Sequence, residues 1–182
     1  MNKLIFLDID GVICTMRSHL VHYGRGGLWT DWDELACKFL HDLCEKYEVK
    51  IVISSTWRKF RVPELKELLI KHNLIKYLLY YSASKEDIYD SFTPEVGMRG
   101  DEINKFILDN PNVKDWDYRI IDDDADMLPS QMGKLIRTHC HNGITGPNML
   151  DLLNWCDGND VKGDQEKLDE GIKSLIEVAL NE

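Results

Sequence analysis

Short runs of apolar residues recur along the chain, and each ends abruptly in polar residues. Such runs lie at residues 3–7, 49–53, 118–121 and 134–138. The runs at 3–7 and 49–53 predict strands that are buried on both faces, and those at 118–121 and 134–138 predict two further strands. An apolar and aromatic stretch at 75–81 is interpreted as one more strand, although its pattern does not separate a strand from other structures.

Segments with the apolar spacing of a helix lie between these runs. They cover residues 35–47, a segment opened by Pro63, residues 101–109 and residues 147–155. Asp31 and Glu34 are spaced as in a capping box, which places the start of the first helix near Asp31. Alternating strands and helices predict an α/β protein, with a three-layer αβα, Rossmann-like parallel sheet covered by helices on both faces.

One domain accounts for most of the 182 residues. We assign residues 1–156 to it, with an irregular flap or small cap insertion at 14–31 that contains three glycines. Residues 157–182 are polar at first and then show apolar positions with helical spacing. They are predicted to form a polar linker followed by an amphipathic C-terminal helix.

Charge and composition indicate which binding partners and which cellular location to expect. The chain carries 22 Lys and Arg against 32 Asp and Glu, for a net charge of -10, which argues against broad nonspecific binding to nucleic acid. No apolar run approaches the roughly 20 residues that span a bilayer, and acids interrupt the apolar start of the chain. The five cysteines include no C-x-x-C pair. We therefore expect no membrane association, a cytoplasmic location and reduced thiols.

Polar residues follow three of the predicted strands. Because ligands bind beyond the carboxyl ends of parallel strands, these residues are expected to converge. Clustered carboxylates repel one another unless a cation shares them, and oxygen ligands favour a hard ion such as Mg²⁺. The three groups are Asp8 with Asp10, Ser54 with Ser55, and Asp122 with Asp123 and Asp126.

The two acids after the first strand suit two chemical tasks. The carboxylate of Asp8 can attack phosphorus and form an acyl phosphate, which divides hydrolysis into two easier displacements. The carboxyl group of Asp10 can protonate the leaving oxygen and later deprotonate the attacking water. A metal ion would offset the charge of the phosphate, while a hydroxyl and a cationic side chain hold its other oxygens.

The order of these motifs resembles that of the haloacid dehalogenase (HAD) superfamily of phosphatases. FLDIDGV at 6–12 is similar to its first motif, IVIS at 51–54 to its second and IIDDDAD at 120–126 to its acidic fourth motif. The resemblance implies that Asp8 is the nucleophile and a metal ligand, and that Asp10 is the acid/base and binds the metal through its backbone carbonyl. It further implies that Asp122 is a metal ligand, assisted by Asp123 or Asp126.

The phosphate-binding residues remain as alternatives. Either Ser54 or Ser55 fills the hydroxyl role of the second motif, depending on where the strand ends. Arg99 and Lys105 compete for the basic third motif, and Arg99 is favoured because it precedes its helix whereas Lys105 lies inside it.

Three shorter features resemble small members of the superfamily associated with nucleic-acid end repair and polynucleotide phosphatases. They are STWR at 55–58, RGDEI at 99–103 and the acidic run at 122–126. This likeness implies that Arg58, and with it Arg61, positions a nucleotide phosphate. Trp57 is interpreted as a core residue in preference to a platform for a base.

The function predicted is a magnesium-dependent phosphomonoesterase with an aspartyl-phosphate intermediate, acting on a nucleotide or a nucleic-acid end. A phosphosugar or another small phosphorylated metabolite is the alternative substrate, and a non-catalytic phosphate-binding or signalling module is the alternative class. His19 and His22 are candidate substrate contacts in the flap. His139, Cys140 and His141 are given no metal role, because adjacent side chains rarely converge on one tetrahedral ion.

Overall fold

A computed structural model of the protein describes residues 2–23, 31–82 and 87–159. Its core is a four-stranded parallel sheet with the strand order β2-β1-β3-β4. The strands are β1 (Lys3–Leu7), β2 (Lys50–Ile53), β3 (Asp117–Asp122) and β4 (Leu135–Arg137). Each overlaps a segment that the sequence predicts to be a strand, and the predicted parallel arrangement is confirmed.

Six α-helices accompany the sheet in the described ranges. They are α1 (Met16–Tyr23), α2 (Glu34–Tyr47), α3 (Trp57–Phe60), α4 (Val62–Lys71), α5 (Arg99–Asp109) and α6 (Gly146–Asp157). The predicted helices at 35–47, 101–109 and 147–155 are therefore confirmed to within about two residues, the usual scatter of helix ends.

Both faces of the sheet are covered by helices, because alternate residues of each strand point to opposite sides. Ile5 and Leu7 of β1 belong to a buried cluster that includes side chains of α2, α4 and α6. Leu4 and Phe6 belong to a second cluster with α5, in which the rings of Phe6 and Phe106 meet edge to face at 5.8 Å. The predicted three-layer αβα architecture is thus confirmed.

The register of the sheet brings three strand ends to one level. Leu7 of β1 pairs with Ile53 of β2 on one side and with Ile121 of β3 on the other. The residues that follow each of these positions therefore emerge side by side at the carboxyl edge.

One predicted strand does not form. Residues 75–77 make a single 3₁₀ turn, and the next residue, Leu78, contributes only an isolated bridge to Ile51. The apolar side chains of this segment are buried or partly buried, but they pack against the core from a turn and do not extend the sheet. Burial alone explains the apolar pattern there.

The start of α2 also differs from the prediction. Asp33, not Asp31, is its N-cap, because the Asp33 carboxylate accepts a hydrogen bond from the Ala36 amide at 3.0 Å. Asp31 instead lies 2.9 Å from the ammonium group of Lys71. The interpretation of Asp31 and Glu34 as a capping box is therefore wrong.

The predicted flap is partly helical. Its residues 16–23 form α1, which is tied to the domain by an ion pair between Arg17 and Asp33. Residues 24–30 of the flap and the predicted C-terminal helix from residue 160 onward lie outside the described residues. No helix within the described ranges combines the length and the apolar character that a membrane crossing requires.

Candidate active site

The candidate site lies at the carboxyl edge of the sheet, where β1, β2 and β3 end. Backbone hydrogen bonds of 3.0 Å continue beyond the strands, from the Asp8 amide to the Ile121 carbonyl and from the Ser54 amide to the Leu7 carbonyl. Asp8, Ser54 and Asp122 are therefore held by the sheet ladder itself. All three are buried.

Three carboxylates converge at this edge. Oxygen atoms of Asp8, Asp122 and Asp123 all lie within 4.8 Å of one another. Burial, followed by repulsion from Asp8, raises the pKa of Asp122 to about 7. Burial also raises the pKa of Asp8 and that of Asp123. As arranged, the three acids cannot all be ionised without a cost in free energy.

A divalent cation fits this cluster. Oδ2 of Asp122 is buried and accepts no hydrogen bond from any residue that the structure describes. A cation shared by the carboxylates would relieve their repulsion and coordinate that oxygen. A set made only of carboxylate oxygens suits a hard ion such as Mg²⁺.

Gly11 allows the turn after β1 to reach this cluster. Its φ of +70° lies in the left-handed region, and a Cβ added there would fall 2.2 Å from the carboxylate of Asp123. The Thr138 hydroxyl, at the end of β4, donates a hydrogen bond of 2.8 Å to the Gly11 carbonyl. The turn is therefore packed directly against one of the acids and is fixed from the neighbouring strand.

Arg99 is the cation nearest to the acids among the predicted phosphate ligands. Its Nη1 lies 3.6 Å from Asp8 and its Nε 3.5 Å from Asp122, and its side chain is largely buried. Lys105 projects from the same helix but pairs with Asp109 at 2.7 Å, with half of its side chain exposed. Of the two alternatives, the structure brings Arg99 to the acids.

The first turn of α5 is anchored so that Arg99 is held in place. The Arg99 amide donates to the Asp126 carboxylate at 3.2 Å, and the Gly100 amide donates to the Asp126 carbonyl. The buried side chain of Gln131 donates to the Gly100 carbonyl at 3.0 Å. Asp126, predicted to assist at the metal, thus serves as an anchor for this helix. Sequence reasoning missed Gln131, which no motif marks.

The two serines after β2 are both buried but differ in their contacts. Hydrogen bonding from the Ser55 hydroxyl lowers the pKa of Asp8, against the larger effect of burial. The Ser54 hydroxyl has no hydrogen-bond partner among the described residues. Ser55 is therefore the hydroxyl that the structure places against the acid expected to be the nucleophile.

Asp10 lies apart from the carboxylate cluster and is exposed. Its Oδ2 accepts a hydrogen bond from the indole Nε1 of Trp57 at 2.8 Å. Trp57 is only 2% exposed, which confirms its interpretation as a core residue, and the guanidinium of Arg61 lies 4.1 Å above its ring. The structure therefore places the Asp10 side chain outside the carboxylate cluster, and the expectation that its backbone carbonyl binds the metal stays a prediction.

Arg58 does not take the role predicted for it. Its guanidinium is buried, and it donates to the backbone carbonyls of Ser54, Ser55 and Thr93. A further nitrogen, Nη2, lies 2.6 Å from the carboxylate of Glu102. With its donors turned inward, Arg58 stabilises the loop that carries the serines and does not face a phosphate.

A small cavity adjoins Asp10 on the side of α1. It measures about 230 Å³ and is lined by Asp10, Gly11, Cys14, Thr15, Met16, His19, Cys140 and His141. His19 approaches the Cys14 sulfur at 3.2 Å. The candidate flap residue His19 therefore borders the same opening as the exposed acid, while the side chain of His22 lies outside the described residues.

Comparison with known proteins identifies the domain. A protein-family model described as the HAD domain in Swiss Army Knife RNA repair proteins matches residues 4–149. Searches of curated proteins and of solved structures gave no match. The matched range contains the carboxyl ends of all four strands and every site residue described above.

Proposed function

The chain belongs to the family of HAD domains in Swiss Army Knife RNA repair proteins, and on this premise we propose that it is a magnesium-dependent phosphomonoesterase with Asp8 as nucleophile. The proposal rests mainly on the set of functional groups that surround the Asp8 carboxylate. A hydroxyl from Ser55, a guanidinium from Arg99 and a second carboxylate from Asp122 meet at this one buried acid. Family membership supports phosphatase-type chemistry.

Asp8, Asp122 and Asp123 are the residues that would hold the metal ion. When bound, Mg²⁺ would neutralise charge on the phosphate and favour the ionised form of the nucleophile. Asp8 must be ionised in order to attack, and burial opposes this. Arg99 lowers the pKa of Asp8 and so favours the reactive form.

The reaction proceeds in two displacements. A carboxylate oxygen of Asp8 forms a bond to phosphorus, the ester P–O bond breaks, and Asp10 donates its proton to the leaving oxygen. Water then attacks the phosphorus of the aspartyl phosphate and gives its proton to Asp10. The bond from phosphorus to Asp8 breaks, and inorganic phosphate leaves. Arg99 and Ser55 hold the non-bridging oxygens through both steps.

The substrate that we propose is the phosphorylated end of an RNA strand. The family is one of RNA repair proteins. The side chain of Arg61 pairs with Glu64 at 2.9 Å, is 37% exposed and lies over the ring whose N–H group holds Asp10, so a cation that solvent can reach stands on the leaving-group side. A guanidinium there could contact the phosphate of the next nucleotide.

Release of inorganic phosphate from terminally phosphorylated oligoribonucleotides, measured with and without Mg²⁺, tests the activity. We expect turnover that needs Mg²⁺ and is abolished in Asp8→Asn, with Asp115→Asn, an exposed acid, as the matched control. Labelled phosphate should be trapped on the wild-type protein in acid and released by hydroxylamine. Equal turnover in Asp8→Asn would refute the mechanism.

The choice of substrate is tested separately from the mechanism. The same assay on mononucleotides and phosphosugars should give lower kcat/KM values than the oligoribonucleotides. A preference for a phosphosugar would overturn the RNA-end proposal while leaving the role of Asp8 intact. No turnover on any member of the panel, despite Mg²⁺ binding, would indicate a phosphate-binding module.

A further inference from the structure

We propose that His139, Cys140 and His141 form a second metal site, for Zn²⁺ or a similar borderline-soft divalent ion, at the rim of the cavity beside Asp10. One ligand atom from each of these residues lies within 4.8 Å of the other two. All three residues are exposed, so an ion can reach them from solvent. The site is independent of the proposed phosphatase activity.

The distances between the ligand atoms are close to those of a tetrahedral site. The two Nδ1 atoms are 3.3 Å apart, and the Cys140 sulfur lies 4.0 Å from Nδ1 of His139 and 3.2 Å from Nδ1 of His141. Zn–N bonds of about 2.05 Å and Zn–S bonds of about 2.3 Å imply tetrahedral edges of about 3.3 Å and about 3.6 Å. The nitrogen–nitrogen distance equals the first edge, and the sulfur–nitrogen distances lie on either side of the second, so a small shift of the Cys140 side chain would complete the geometry.

Protons satisfy the contacts of this cluster when no ion is bound. The His141 amide approaches Nδ1 of His139 at 3.3 Å, which makes that nitrogen an acceptor with a lone pair. An ion would take this lone pair in place of the amide, and the Cys140 thiol would lose its proton to solvent, because the thiolate is the form that binds a metal.

A tight turn overcomes the usual divergence of consecutive side chains. The amides of Asn142 and Gly143 both donate to the His139 carbonyl, at 2.9 Å and 2.8 Å. Gly143 has a φ of +62°, and a Cβ there would lie 2.2 Å from the carbonyl oxygen of Val12. The turn is therefore fixed against the loop that follows β1, and its geometry explains why the sequence-based expectation of no convergence is wrong.

The position of the turn connects the site to α1 and to the active-site opening. The carbonyls of Cys140 and His141 accept hydrogen bonds from the Met16 and Arg17 amides, at 3.2 Å and 3.0 Å. Cys140 and His141 also line the cavity that reaches Asp10. Three protein ligands leave one position of a tetrahedral ion open to solvent or to another ligand, as in exchangeable sites.

The ligand types separate this site from the carboxylate cluster. Imidazole nitrogen and thiolate sulfur favour zinc-like ions, whereas carboxylate oxygens favour Mg²⁺. The two sites therefore select different metals and can be titrated independently.

Titration with Co²⁺, which replaces Zn²⁺ and absorbs through thiolate-to-cobalt charge transfer, tests the site. We expect the wild-type protein to bind one equivalent with this band and to release it when Zn²⁺ is added. Cys140→Ser should lose the band, and His139→Ala or His141→Ala should weaken the apparent affinity by about tenfold or more. The other four cysteines are buried, so the band reports Cys140.

Two controls keep the result specific. His41→Ala, which removes a histidine on α2 far from the turn in sequence, should bind Co²⁺ as the wild type does. Asp122→Asn should keep the charge-transfer band although it disrupts the carboxylate cluster. Absence of the band in the wild type at saturating Co²⁺, or its survival in Cys140→Ser, would overturn the proposal whatever the outcome of the phosphatase assay.

Discussion

The indole N–H of Trp57 donates a hydrogen bond to the carboxylate of Asp10 at 2.8 Å, across 47 positions of sequence. Trp57 itself is buried in the core, whereas Asp10 is exposed. A buried side chain thus orients an exposed one. In the proposed reaction Asp10 must present a proton to the leaving oxygen in a defined direction, and this contact supplies the direction.

Replacement of Trp57 by Phe removes the donor and keeps most of the apolar volume. We expect kcat to fall about tenfold, as part of the contribution of the general acid is lost, with little change in KM. Steady-state kinetics on a phosphorylated oligoribonucleotide measure this. Trp155→Phe is the matched control, because its indole donates to Asp117 at the start of β3, away from the site. Equal losses of kcat in the two variants would contradict the role of Trp57.

Arg99→Gln should lower kcat/KM by about 100-fold, because a charged hydrogen-bond donor to the phosphate is lost. Lys105→Gln should leave kcat/KM unchanged, since Lys105 pairs with Asp109 on the surface of the same helix. Inhibition by inorganic phosphate provides a second measure, which Arg99→Gln should weaken and Lys105→Gln should not. The assignment of the basic residue would be wrong if the lysine variant were the more impaired.

Arg58→Met should destabilise the fold by about 3 to 5 kcal/mol, because it leaves the buried carboxylate of Glu102 without its closest cation. Urea unfolding gives the free energy. The double variant Arg58→Met with Glu102→Met should recover part of the loss. For comparison, Lys38→Ala breaks an exposed pair with Asp42 and should leave the free energy of unfolding nearly unchanged, because solvent screens the pair. A loss in Arg58→Met no larger than that would show that the buried pair is unimportant.

Asp117 should make stability depend on pH. Burial raises the pKa of this carboxyl, but the Trp155 indole, Arg119 and Lys134 together outweigh burial and hold the pKa below its usual value. The stabilisation is therefore fully present above the unfolded value of about 3.9 and is lost as pH falls through the lower folded value.

The comparison of the wild type with Asp117→Asn tests this dependence. The variant should be less stable at neutral pH by about 1 kcal/mol, because solvent screening at this partly exposed carboxyl reduces the roughly 1.5 to 3 kcal/mol of hydrogen bonds to a charged group. The difference in unfolding free energy should shrink in acid below the usual aspartate pKa. Asp115→Asn, an exposed neighbour, should show no such trend. A difference that stayed constant or grew in acid would exclude the proposed sign.

Strands and their terminal residues could be predicted from the sequence because the signal is local. A continuous apolar run such as Lys3–Leu7 has few structural alternatives, and its boundary marks the edge of the sheet. The prediction of a strand at 75–81 was wrong because an apolar pattern indicates burial and does not indicate how the backbone pairs. The prediction of Asp31 as the N-cap was wrong because the helix begins two residues later, where Asp33 caps it.

The partners of side chains could not be predicted, because they depend on residues distant in sequence. The sequence predicts that Arg58 binds phosphate. In the structure its guanidinium contacts Glu102 of α5 and the carbonyl of Thr93 instead. The order of motifs identified Arg99 as a candidate, but its distance from Asp8 depends on how Asp126 anchors the helix. The convergence of His139 with His141 follows from a turn that Asn142 and Gly143 mark in the sequence, but the sequence does not give the resulting distance between the two rings.

The buried ion pair of Arg58 and Glu102 also has a mechanical consequence. Arg58 donates hydrogen bonds to the carbonyls of the loop that bears Ser55. Its partner Glu102 lies one helical turn from Arg99. The Ser55 hydroxyl and the Arg99 guanidinium, which are proposed to bind phosphate, are thus connected through this ion pair. Substrate entering such a site meets a rigid receptor, so little of its binding energy is spent on ordering the protein.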